Sequence, residues 1–240
     1  MTILAQPLPI LEDNYAWLLR DDATGARAAV DPADGDAVIR AVEADGGRLD
    51  LILLTHHHAD HVAGTDAVRG RFGSQVVGAA ADAHRLPRLD RAVREGDEVA
   101  LGESRAGVLD TPGHTRGEIC YAFPGVLLSG DVLFSLGCGR LIEGTAEEMF
   151  ASLRKLAALP ADTLVCCGHE YTASNARFAR HVDPDNAALR ARAEEVARLR
   201  AAGKPTVPSR LGDELAENPF LRAPDAGRFA ALRKQKDGFR

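Results

Sequence analysis

The segment Thr55-His56-His57-His58-Ala59-Asp60-His61 places four histidines and one aspartate in six positions. Imidazole nitrogens and carboxylate oxygens are the ligands that zinc and neighbouring first-row ions take. In one short loop His56 and His58 can turn to one ion while Asp60 and His61 turn to a second. A tag would be terminal and uninterrupted; this run is internal and broken by Ala59 and Asp60. The element that must position it is Leu51-Ile52-Leu53-Leu54, an apolar run whose length and polar boundaries predict a buried strand.

Three further candidate ligands follow strand-like runs. His114 follows Gly107-Val108-Leu109, within Asp110-Thr111-Pro112-Gly113-His114-Thr115-Arg116-Gly117. His169 follows Thr163-Leu164-Val165, within Cys166-Cys167-Gly168-His169-Glu170-Tyr171. Glycine before each histidine permits a turn that other residues resist. Between them, Val126-Leu127-Leu128-Ser129-Gly130 ends in Asp131. Four strand ends that each deliver a ligand describe a site.

The order His56-x-His58-x-Asp60-His61, His114, Asp131, His169 resembles the metallo-β-lactamase superfamily, and within it the hydroxyacylglutathione hydrolase (glyoxalase II) family. Asp13-Asn14-Tyr15, Gly137-Cys138-Gly139-Arg140, Glu143-Gly144-Thr145, Asn218-Pro219-Phe220-Leu221-Arg222 and Arg233-Lys234-Gln235-Lys236-Asp237 extend the resemblance over essentially the whole chain. It implies an α/β fold, an αββα sandwich over residues 1–169 followed by a small, mainly α-helical domain over 170–240. It implies two divalent ions, with zinc expected and iron or manganese suited to the same donors. His56, His58 and His114 would hold one; Asp60, His61 and His169 would hold the other; Asp131 would bridge them. The implied reaction is hydrolysis of an S-(2-hydroxyacyl)glutathione by a hydroxide held between the ions, with Asp60 and Asp131 as ligands first and possible proton carriers. Arg140, Tyr171, Arg233 and Lys236 are the implied glutathione-binding residues. Arg233 and Lys236 share a face on a helical turn and would both reach one carboxylate. Eukaryotic members have lysine where Arg140 stands and tyrosine where Ile142 stands, so weaker glutathione binding is expected. A single-iron glutathione persulfide dioxygenase, or another hydrolase on this fold, is the alternative.

His57 points away from its neighbours in an extended loop and is left out as a ligand. His84 and His181 lie outside these motifs and suit surface or packing roles. Length allows a substantial core, and 45% hydrophobic with 27% charged residues is the balance of a globular protein. Apolar runs are too short to span a bilayer, and the first residues carry no basic-to-apolar leader, so a cytosolic protein is expected. A net charge of −6 argues against nucleic-acid affinity. Cys120, Cys138, Cys166 and Cys167 form no CxxC pair and read as reduced structural thiols. A monomer is expected, with a small glutathione thioester as its partner.

The positioning elements are short strands with occasional helices. A helix is predicted over Gly35–Asp45, and strands at Val30–Pro32, Gln75–Gly78 and Glu98–Leu101. Thr145-Ala146-Glu147-Glu148 reads as a capping box opening a helix through Met149, Leu153 and Leu156. Past residue 170 the chain turns rich in alanine, arginine and glutamate. Its spacing predicts one helix over Asn175–Ala202, a looser stretch over Thr206–Pro219 and a short helix over Ala226–Lys234.

Overall fold

The computed structural model describes residues 2–239. A first six-stranded sheet takes β1 (Ile3–Ile10), β2 (Asn14–Asp21), β3 (Arg27–Val30), β4 (Leu51–Leu53), β5 (Gln75–Ala79) and β6 (Arg91–Val93) in chain order. The first three strands are antiparallel; from β3 onward neighbours are parallel. Parallel neighbours need a crossover. Here α1 (Gly35–Ala44) links β3 to β4, and α2 (Ala59–Val62) with α3 (Thr65–Phe72) links β4 to β5. Asp34 starts α1 by accepting from the Ala37 N–H at 3.0 Å.

The second sheet takes β7 (Glu98–Leu101), β8 (Ser104–Asp110), β9 (Ile119–Phe123) and β10 (Val126–Gly130). A small ladder, β11 (Leu133–Phe134) with β12 (Gly137–Cys138), and α4 (Ala146–Ala157) lead to β13 (Leu164–Cys167). The tail adds β14 (Ser209–Arg210), giving the order β14-β13-β10-β9-β8-β7. The capping box forms in full: Thr145 Oγ1 accepts from the Glu148 N–H, and the Glu148 carboxylate from the Thr145 N–H.

Strand alternation decides what each layer buries. Ile119, Tyr121 and Phe123 of β9, and Val126 and Leu128 of β10, enter the core shared with the first sheet. Cys120, Leu127 and Val165 face the other way, against Met149, Leu153 and Leu156 of α4. Val38 and Val42 of α1 with Val68 of α3 cover the first sheet. The layer order is helix, sheet, sheet, helix, the αββα sandwich expected.

The tail departs from expectation. Instead of one helix over Asn175–Ala202 there are two, α5 (Thr172–Val182) and α6 (Ala187–Ala201). The break falls at Asp183-Pro184, because proline lacks a donor and disfavours helical geometry in the residue before it. Asn186 restarts the helix by accepting from the Leu189 N–H at 3.1 Å. The looser stretch holds β14 and α7 (Leu211–Glu217), and the last helix, α8, runs Ala226–Asp237. Phe178, Phe220 and Phe229 of the tail share a cluster with Leu127 and Val165.

Candidate metal centre and substrate pocket

The ends of β4, β8, β10 and β13 meet at one edge of the sandwich. His56 Nε2 and His114 Nε2 each lie 3.1 Å from His58 Nδ1. Asp60 Oδ2 lies 3.9 Å from His61 Nε2 and 3.5 Å from His169 Nε2. Asp131 stands between the two sets: Oδ2 is 3.5 Å from His114 Nε2 and 3.3 Å from His169 Nε2, and Oδ1 is 3.4 Å from His61 Nε2. The structure therefore brings together all seven residues that the sequence singles out; potential ligand atoms cluster as His56 with His58 and His114, Asp60 with His61 and His169, and, not foreseen, Asp31 with His56 and His61.

The outward ring nitrogens fix which nitrogen faces in. His61 Nδ1 donates to Asp31 Oδ2 at 2.9 Å, and His169 Nδ1 to Asp13 Oδ1 at 2.9 Å. His114 Nδ1 donates to the Arg140 carbonyl at 3.0 Å, and His56 Nδ1 to the Thr55 hydroxyl at 3.0 Å. His56 and His114 then present a bare Nε2 lone pair to the centre, while His61 Nε2, 3.4 Å from Asp131 Oδ1, would have to give up a proton to an incoming ion. Lone pairs facing each other across a buried space repel unless a cation lies among them. His61 Nε2 and Asp131 Oδ1 are buried without a hydrogen-bond partner. Such orphaned donors of the right chemistry fit metal ions.

Charge agrees. Burial, with the neighbouring His61 adding, drives His56 far below its ordinary value; burial also lowers His58 and His114. Burial would lower His61 too, but Asp131 and the bond to Asp31 overcome it and push it up to about 10 in the metal-free protein. Burial would raise Asp131; the His61 and His169 imidazoles hold it far below the carboxylate range instead. At Gly168 the constraint proves to be space: a Cβ would lie 2.6 Å from Asp131 Oδ1 and from His61 Cε1.

The centre opens into a cavity of about 480 Å³. Phe134, Arg140, Ile142, Tyr171 and Lys236 line it beyond the histidines. The Tyr171 ring stacks on His169, centroids 4.6 Å apart at 6°. Burial, with Asp13 adding, raises its phenol, which stays a donor. Lys236 donates to the Ser174 carbonyl at 3.2 Å and hydroxyl at 3.0 Å, leaving one N–H toward the cavity. Burial, then Arg233, Arg177 and Arg140, bring its pKa down to about 8. Arg233 lines the same cavity, with its guanidinium bonded to the protein. It is 4% exposed, and its Nη1 donates to the Cys138 carbonyl at 2.8 Å while Nε and Nη2 hold Asp237. It lies over the Phe220 ring at 5.2 Å. Its guanidinium thus also holds the loop before Arg140. Ile142 is 58% exposed at the rim.

A model of the metallo-beta-lactamase superfamily matches residues 12–169, and a model of the hydroxyacylglutathione hydrolase C-terminus matches residues 170–239. A hydroxyacylglutathione hydrolase from Acidiphilium cryptum is 60% identical over 97% of this chain and 95% of its own. The chain belongs to the hydroxyacylglutathione hydrolase family. Among solved structures, ETHE1 from Myxococcus xanthus matches with TM-score 0.73 and 27% identity, over 96% of this chain and 90% of that one. TTHA1623 in a di-iron-bound form matches with TM-score 0.58 and 26% identity, over 69% of this chain and 91% of that one. As a member of this family the protein is a metal-dependent hydrolase, and its histidine–carboxylate clusters have the donor chemistry to hold divalent ions.

Within the family site, the sequence reading omits the residues that orient the ligands. Asp31 sits at the end of β3 and accepts from the Thr55 N–H at 2.9 Å, the Thr55 hydroxyl at 2.7 Å and His61. Its signal was available, since a carboxylate ends an apolar strand there as at Asp131. Asn14 donates to Asp60 Oδ2 at 3.0 Å. Buried Glu118 accepts from the Asp131 N–H at 2.8 Å and lies 3.6 Å from His56 Nδ1. His57 turns from the centre, with Nδ1 3.1 Å from Asp82 Oδ2. His84 and His181 are exposed, and all four cysteines are free and buried.

Proposed function

We propose that the protein hydrolyses the thioester of an S-(2-hydroxyacyl)glutathione, S-D-lactoylglutathione first among them, to glutathione and the 2-hydroxy acid, the second step of methylglyoxal detoxification. The observation that carries this is a shared cavity: the two ligand clusters and the cationic side chains of Arg140 and Lys236 open onto the same space. The name of the Acidiphilium cryptum relative supports it. His56, His58 and His114 would hold one ion, Asp60, His61 and His169 a second, with Asp131 shared. We read both as zinc, and iron or manganese suits the same donors.

Bound divalent ions supply hydroxide near neutral pH and polarise an acyl oxygen. The chain's own groups do the rest. Lys236 and Arg140 attract the carboxylates of the glutathione moiety. Tyr171 donates its phenolic hydrogen beside His169, and Phe134 gives the thioester an apolar wall. Burial would raise Asp60, but the Asn14 bond and the imidazoles of His61 and His169 hold it below its ordinary value. A carboxylate kept ionised in this way suits a ligand to the second ion. The leaving thiolate has an intrinsic pKa near 8.5, so it departs without a dedicated acid.

We place the division between catalytic and glutathione-binding parts at residues 169 and 170, and take a single chain as the working unit, since all seven ligands come from one chain. Cytoplasmic residence belongs to the same proposal and rests on four free, buried thiols. Among the described residues no helix is long and apolar enough to cross a membrane.

Loss of thioester absorbance with S-D-lactoylglutathione, measured beside the metal content of the same sample, tests the reading. Rapid hydrolysis with close to two ions per chain, abolished by Asp131→Ala, is expected. No hydrolysis from fully loaded protein overturns it. A single iron with oxygen uptake on glutathione persulfide replaces it with the dioxygenase.

A further inference from the structure

The loop from Gly139 to Glu143 brackets a metal ligand. The His114 ring donates to the Arg140 carbonyl at 3.0 Å, and the Glu143 N–H donates to the His114 carbonyl at 3.1 Å. Arg233 grips the loop's beginning through the Cys138 carbonyl. Its end is gripped through the Glu143 side chain. Both Arg85 Nη1 and Nη2 donate to that carboxylate, and the Arg116 N–H adds a bond at 2.9 Å. Arg85 turns its other edge to Asp82, with Nε and Nη2 at 3.1 and 2.6 Å from Oδ1. The second Asp82 oxygen faces His57 Nδ1, while His57 Nε2 lies 3.6 Å from Glu143 Oε1.

This closed ring has features of a built device. Asp82 is buried, and a buried carboxylate is tolerated only when paired. A Cβ on Gly117 would lie 2.2 Å from Asp82 Cγ, so the segment after His114 is pressed against it. A planar guanidinium with both edges occupied by carboxylates fixes direction as well as distance. Arg85 holds Glu143 down to about 2, ionised at any working pH. None of His57, Asp82, Arg85 and Glu143 lines the cavity, whereas Arg140 and Ile142, between the two grips, do. The ring touches the cavity through these two residues and through His114, and a metal reading separates the second route from the first.

We infer that Glu143, held by Arg85 and by Asp82 with His57, is a positioning residue that sets substrate affinity by fixing the loop that presents Arg140. His57, the one histidine of the His56–His61 motif left out of the ligand set, then ties the ligand loop to the substrate loop. The inference rests on the thioester reading above.

The test is a double-mutant cycle on the metal-loaded enzyme, with KM, kcat and metal content read for wild type, Glu143→Gln, Arg140→Ala and the pair. Glu143→Gln is expected to keep its metal and raise KM about fivefold, more than it lowers kcat. In the Arg140→Ala background it should add less than about twofold. Arg85→Lys, which keeps charge but loses the two-edged grip, should fall between; Arg85→Met replaces Glu143→Gln should that variant not fold. An unchanged KM, a full fivefold effect without Arg140, or a loss that tracks metal content overturns the inference alone, provided wild type turns over. An inactive, fully loaded wild type overturns the functional reading and this inference with it.

Discussion

Replacing Asp31 with asparagine changes one heavy atom and is expected to weaken one metal site selectively. Asp31 accepts three hydrogen bonds, two from Thr55 and one from His61 Nδ1, and has no donor of its own when ionised. Asparagine must put an NH₂ at one of the two oxygen positions. At the Oδ1 position it would oppose the Thr55 N–H, donor against donor in a buried setting. At the Oδ2 position it would meet His61 Nδ1, and the ring would escape only by moving its proton to Nε2. A protonated Nε2 cannot ligate an ion. Loss of such an orienting partner costs about 10- to 100-fold in metal affinity. That is about 1.4 to 2.8 kcal/mol. The ion assigned to Asp60, His61 and His169 should go first, while His56, His58 and His114 keep theirs. Competitive chelator titration with metal analysis measures both steps. Two ions per chain held by Asp31→Asn as tightly as by wild type would refute the tautomer argument.

The remaining expectations follow from the same geometry. His61 is pushed up to about 10 in the metal-free protein, above its ordinary 6.5, so an ion must displace its proton; apparent metal affinity should rise with pH below about 10, with proton uptake by buffer read calorimetrically. By the same sign, its contribution to metal-free stability is complete below about 6.5 and fades as pH climbs toward 10, which denaturant titration across that range reads. Lys236 has its pKa lowered to about 8, so its ammonium is lost above that pH and KM for the thioester should climb there; Lys236→Met should flatten this limb of the profile. Ile142→Tyr restores a hydroxyl at an exposed rim position and should lower KM by about fivefold, the worth of one hydrogen bond; an unchanged KM removes that idea.

What the sequence revealed was local, and what it concealed was long-range. The ligand motif and the apolar run before it are contiguous, so strand end and donor spacing could be read together. The Thr145 capping box is three residues wide and equally readable. Pro184 was readable as well, yet apolar spacing through Leu189 and Val196 suggested continuity across it. Asp31 gains its role only because β3 and β4 pair in parallel, setting it beside Thr55, 24 positions on. Arg233 shares a helical face with Lys236, as the spacing implies. The direction of its guanidinium, however, is decided by a carbonyl 95 positions away. No helical wheel contains that partner.

The ligands divide between the sheets in a way that bears on how the protein holds metal. His56, His58, Asp60 and His61 follow β4 of the first sheet; His114, Asp131 and His169 follow β8, β10 and β13 of the second. Each cluster therefore spans the sandwich. Yet the spacing between the sheets is fixed by bonds that involve no ligand side chain. The Ile119 N–H reaches the Thr55 carbonyl at 3.0 Å, the Tyr15 N–H the Gly168 carbonyl at 2.8 Å, and Trp17 Nε1 the Cys167 carbonyl at 2.9 Å. The Tyr121 hydroxyl reaches back to the Leu54 carbonyl at 3.1 Å. With an apolar core between the sheets as well, the ligand loops are brought together before any ion arrives. This is the reverse of a small zinc domain, where metal supplies the folding energy. Here the fold sets the candidate ligands side by side, with His61 between the Asp31 and Asp131 carboxylates, so an incoming ion would have to displace a proton rather than assemble the site.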